Sequence, residues 1–92
     1  MSPANKPEPS LLSFPCEFPI KIVGKADPDF EGFVMQIMRT HVPDLGEGAV
    51  TEHYSKEGKY VSMTVTIRAT SQAQLDAIYL ALSSDSRVLA AL

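Results

Sequence analysis

Alternation marks the clearest segment of the chain. Val61, Met63, Val65, Ile67 and Ala69 are apolar, while Tyr60, Ser62, Thr64, Thr66 and Arg68 stand between them. A period of two sends the two sets to opposite faces of a strand, one for a core and one rich in hydroxyls. Ile20, Ile22 and Gly24 alternate in the same way with Lys21, Val23 and Lys25, which predicts a first strand beginning near Phe18. Pro19 donates no ladder bond and is expected at that strand's beginning.

Between these strands the period changes. Phe30, Phe33, Val34, Ile37, Met38 and His41 follow three-four spacing and form one helical stripe. Asp27-Pro28-Asp29 reads as its start: Asp27 as N-cap, Pro28 at the first helical position, Asp29 against the dipole. Pro43 disfavours helix at Val42 and ends it. A weaker strand over Ala49 to Tyr54 follows, then the turn Ser55-Lys56-Glu57-Gly58 with glycine at the left-handed position. Ser71 with Gln74 forms a capping box before a second stripe of Leu75, Ile78, Tyr79 and Leu82. After Ser83-Ser84-Asp85-Ser86, residues Arg87 to Leu92 read as a terminal strand.

The order βαββαβ defines an α+β, ferredoxin-like sandwich, with two helices on one face of a four-stranded antiparallel sheet. Right-handed crossovers favour the strand order 4-1-3-2. Residues 1–13 carry three prolines and little to bury, so they are expected to form a flexible tail, with Leu11 and Leu12 able to dock. One domain over residues 14–92 remains.

Composition narrows the setting. No apolar run approaches the roughly 18–20 residues of a membrane span. The start lacks the apolar middle of a secretory signal. A lone Cys16 forms no disulfide within the chain, so a cytoplasmic location is expected. A net charge of −3 speaks against a nucleic-acid partner, whose phosphates need clustered Lys and Arg.

Candidate chemistry is sparse. Cys16 has neither His41 nor His53 beside it in sequence, and a catalytic thiol needs a base within hydrogen-bond reach. The same three residues form no close ligand pairs, so no metal site is expected. No cofactor motif is present, and a phosphate-cradling arginine is missing from the loop Gly24-Lys25-Ala26-Asp27. The third strand offers one aromatic, Tyr60, on its polar face, where an RNA-recognition sheet would stack several. The pattern predicts a domain that is not an enzyme and has no catalytic residues.

The segments FPCEFPIKIVG, SKEGKYVSMTVTIRAT and LALSSDSRVLAAL resemble the YbeD-like family of small bacterial proteins. The likeness runs from about Phe14 to Leu92. It is carried by Phe-Pro-x-x-Phe-Pro-Ile-Lys and by Ser55, Gly58, Tyr60 and Ser62 of the hairpin. The resemblance implies an ACT-like fold, a bacterial cytoplasmic setting and no enzyme activity. It also implies a regulatory or binding role, through a small-molecule effector or a protein partner. ACT domains hold effectors at the loop from first strand to first helix, where an acid is followed closely by glycine. Asp27 matches the acid, whereas Asp29-Phe30 replaces the glycine and Gly32 arrives late. Gly24 and Asp27 are therefore the candidate effector residues. Tyr60, Ser62 and Thr64 are the candidate interaction surface, and a weak homodimer or a partner through that face or a sheet edge is expected. A partner-only adaptor without ligand is the alternative, and an RNA-binding module a further one.

Overall fold

The structure, a computed structural model, describes residues 13–46 and 49–92. The expected tail, with Leu11 and Leu12, lies outside the described residues except for Ser13. Six elements follow in order: β1 (Cys16–Lys25), α1 (Phe30–His41), β2 (Val50–Tyr54), β3 (Tyr60–Ala69), α2 (Gln72–Ser83) and β4 (Val88–Ala91). The strands form one antiparallel sheet ordered β2-β3-β1-β4, which is the expected 4-1-3-2 read from the other edge.

The alternation in β3 sets the layers. Val61, Met63, Val65, Ile67 and Ala69 are buried with Ile20 and Ile22 of β1. Phe30, Val34, Met35 and Met38 of α1 and Leu75, Ile78 and Leu82 of α2 close the same core. No charged or polar residue is buried among the described residues. Each fully buried Val, Leu, Ile, Met or Phe contributes about 1.5–3 kcal/mol of transfer free energy, so this single apolar layer holds the fold. Among the described residues, no helix covers the opposite face of the sheet.

Three local expectations are corrected. First, β1 starts at Cys16, and Pro19 lies within it, paired with Thr66. β4 pairs only from Lys21 to Gly24, so the Cys16–Ile20 half of β1 is an edge on that side, where proline is tolerated. Second, α1 begins at Phe30 with Asp29 at the N-cap position, helical in φ and ψ and making no side-chain cap bond. Asp27 instead closes a turn, its carbonyl accepting from the Phe30 N–H at 3.0 Å. Third, the capping box at α2 is half as expected. Ser71 Oγ accepts from the Gln74 N–H at 3.1 Å, but Gln74 Oε1 returns to the Thr70 N–H at 2.7 Å, one residue early. The Gln74 side-chain nitrogen donates to the His41 carbonyl at the end of α1, at 3.0 Å.

The hairpin between β2 and β3 turns through Gly58, at φ 76°. Its neck is fastened twice: the Ser55 N–H donates to the Tyr60 carbonyl at 2.8 Å, and the Tyr60 N–H donates to Ser55 Oγ at 3.1 Å.

Candidate functional site

Register across the sheet assembles the uncovered face. His53 of β2 lies opposite Ser62 of β3, which lies opposite Val23 of β1, which lies opposite Ala90 of β4. One row along, Thr51, Thr64 and Lys21 are neighbours, and at the hairpin end Tyr60 faces Lys25. Tyr60, Ser62 and Thr64 therefore share this face, and Tyr60 is 44% exposed.

Two hollows meet at Tyr60. One, of about 340 Å³, lies on the sheet and is lined by Lys21, Val23, His53, Tyr54, Ser55, Tyr60, Val61 and Ser62. The other, of about 280 Å³, is formed where the β1–α1 loop approaches the hairpin, and is lined by Lys25, Ala26, Asp27, Gly58, Lys59 and Tyr60. That approach is fixed by the backbone: the Ala26 N–H donates to the Lys59 carbonyl at 2.9 Å. Asp27 does not occupy the cap position of α1, and it lines this second hollow.

Charge gathers here. Lys21, Lys25, Lys56 and Lys59 are four of the eight Lys and Arg residues in a chain of net charge −3. The acids in the same loops are Asp27, Asp29 and Glu57, the last 3.8 Å from Lys59 on the surface. Cations on a low-dielectric wall raise the local concentration of anions. The arrangement can hold a carboxylate or phosphate against lysines while an apolar part lies on a tyrosine ring.

Gly24 has a different place from Asp27. It is buried, and a Cβ there would strike the ring of Phe30 and stand 2.7 Å from the Arg87 carbonyl. The β1–β4 register shifts between Val23 and Gly24, so the glycine sits at a bulge that brings β4 and the first residue of α1 onto β1. It serves packing behind the loop, and it does not line either hollow.

The remaining candidates are apart. Cys16 pairs with Ala69 and His53 with Ser62, seven β3 residues away, which is roughly 24 Å along a strand. His41 ends α1 and is engaged through its backbone by Gln74. No group of three or more His, Cys, Asp or Glu able to hold a metal occurs among the described residues. Near β4, Asp85 grips Arg87 with two side-chain bonds of 3.1 Å, and the guanidinium lies 3.9 Å from the centre of the Phe33 ring. Those bonds hold the Asp85 carboxyl below its ordinary range.

Sequence reasoning missed Lys21, His53, Tyr54 and Lys59. The first three reach the site only through cross-strand register. Lys59 had a signal, its position beside Tyr60 after the glycine turn.

Fold and surface together define a ferredoxin-like βαββαβ domain with one sheet face free of helices among the described residues and a lysine-ringed tyrosine at its hairpin end. The family of proteins of unknown function DUF493 matches residues 9–92, and the chain belongs to it, the YbeD-like UPF0250 group. A UPF0250 protein of Nitrosomonas europaea is 45% identical over 75 residues, which is 82% of this chain and 86% of the relative. One from Janthinobacterium is 43% identical over 82 residues, 89% of this chain and 90% of the relative. The solution structure of protein HP0495 from Helicobacter pylori superposes with a TM-score of 0.72 at 17% identity, covering 100% of this chain and 93% of the other. That likeness establishes the fold. No described helix is long and apolar enough to cross a membrane.

Proposed function

We propose that this domain is a non-enzymatic binding module, ACT-like in its use, that takes a small anionic or zwitterionic effector beside Tyr60. The observation that carries this reading is the pair of hollows sharing the Tyr60 ring. The inner one sets Lys25 and Lys59 near Asp27, so a carboxylate and an ammonium each meet an opposite charge. Pockets of a few hundred Å³ with a few convergent polar groups suit small ligands. The role assigned to Gly24 is indirect: by admitting Phe30 it seats the loop that presents Asp27.

The test is an NMR screen of the 15N-labelled protein with amino acids and short carboxylic acids at millimolar concentration, paired with thermal shift. A ligand at about 100 times its dissociation constant adds roughly 2.7 kcal/mol of stability. Amides of Lys25 to Asp27 and Gly58 to Ser62 should move, and Lys59→Gln should reduce the response. A flat screen would overturn the effector reading and leave the partner-only adaptor.

A further inference from the structure

Among the described residues β2 is an edge strand, bonded to β3 on one side only. Val50 and Glu52 lie opposite the buried Val65 and Met63, so their side chains sit on the helix side of the sheet. Above them, α1 presents Glu31, Met35 and Arg39, one residue per turn along a single flank. Glu31, Met35, Arg39 and Val50 enclose a hollow of about 220 Å³ between helix and strand. A strand laid beside β2 would run under this flank. Its inward side chains would meet two carboxylates, then an apolar stretch, then a guanidinium.

We propose that β2 is a docking edge for an extended segment of another polypeptide, one that carries a basic, an apolar and an acidic residue at alternate positions. The charges select this occupant. A cation placed at Glu31 and Glu52 relieves the repulsion of the pair; burial, and after it the contact with Glu31, raises the Glu52 carboxyl above its ordinary range. An apolar side chain covers Met35 and Val50, and an acid answers Arg39. A second copy fits badly, because two β2 strands paired about a two-fold axis at Glu52 would bring both Glu31–Glu52 pairs together. Inward-pointing charge on an edge strand guards against indiscriminate pairing, and the same charge becomes a recognition element for a strand that neutralises it. The inference does not depend on the effector site at Tyr60.

The experiment titrates the 15N-labelled full chain with acetyl-Thr-Lys-Thr-Val-Thr-Glu-Thr-amide and with the same peptide carrying glutamate in place of lysine. The lysine peptide should shift the amides of Val50 to Tyr54 and of the Glu31–Arg39 flank. It should bind about fivefold or more tightly than the glutamate peptide, a preference that shrinks in high salt. Glu52→Lys should reverse that order. Equal binding of both peptides, no shift on β2, or β2 shifts that grow with protein concentration alone would overturn the proposal. The peptide comparison on the unaltered chain decides it even if Glu52→Lys fails to fold.

Discussion

Gly24→Ala adds one methyl group at the most crowded of the described glycines. The new carbon would collide with the ring of Phe30 and lie 2.7 Å from the Arg87 carbonyl. Phe30 is 2% exposed and opens α1, so its ring has no vacant direction, and the carbonyl belongs to the backbone entering β4. Overpacking a filled core costs about 1–3 kcal/mol, and a clash shared by a buried ring and a carbonyl belongs at the upper end, near ~3 kcal/mol. In a domain of this size each kcal/mol lowers the melting temperature by about 4–8 °C, so a fall of roughly 12–24 °C is expected. Urea melts followed by circular dichroism measure it, with the slope m unchanged. Phe30→Leu removes the outer ring atoms and alone should cost about 1–1.5 kcal/mol. If the ring is what the methyl meets, the double variant should be about 2 kcal/mol more stable than the sum of the singles. Additivity within about 0.5 kcal/mol, or a Gly24→Ala variant that melts like the parent, would refute the packing argument.

Two further outcomes follow from burial and charge. Val65→Asp places an unpaired carboxylate in the core and should abolish the cooperative melt, whereas Thr64→Asp, on the bare face, should cost under about 1 kcal/mol; equal stability would mean the strand phase is wrong. For Glu52, burial and Glu31 raise the folded carboxyl from its ordinary 4.5, so the folded chain holds that proton more tightly than the unfolded chain. Stability from this group therefore falls as pH rises from about 4.5 through the raised folded value. Glu52→Gln should gain roughly a few tenths of a kcal/mol at pH 7, since the pair is largely solvated. The gain should vanish on acidification, which melts at several pH values will show.

Much of this architecture was legible because strands and helices write different periods. The β3 alternation put five side chains under the helices without help from any neighbour. Helix ends were less legible. Asp27 and Asp29 compete for one cap, and the choice was made by Phe30, which has to reach Gly24 from the first turn; that contact is tertiary. Pro19 was misplaced for a similar reason, since its tolerance depends on how little of β1 the short β4 covers. At the candidate site Asp27 and Tyr60 could be named from local chemistry. Lys21, His53 and Tyr54 could not, because two-residue periodicity fixes a face but not a register. Gly24 was read as an effector residue, while its packing role depends on a ring six positions away.

The Gln74 side chain carries a constraint that ordinary capping rules do not express. At the third position of a helix, glutamate and glutamine are usually interchangeable, because each can offer an oxygen to a backbone N–H. Here the amide is used at both ends, its oxygen on the Thr70 N–H and its nitrogen on the His41 carbonyl. A carboxylate would keep the first contact and turn the second into oxygen facing oxygen. The start of α2 and the finish of α1 thus share one planar group, and fraying at either end deprives the other of a partner. In this fold an isosteric swap of a single atom would remove the bond that ties two helix ends 33 residues apart in the chain.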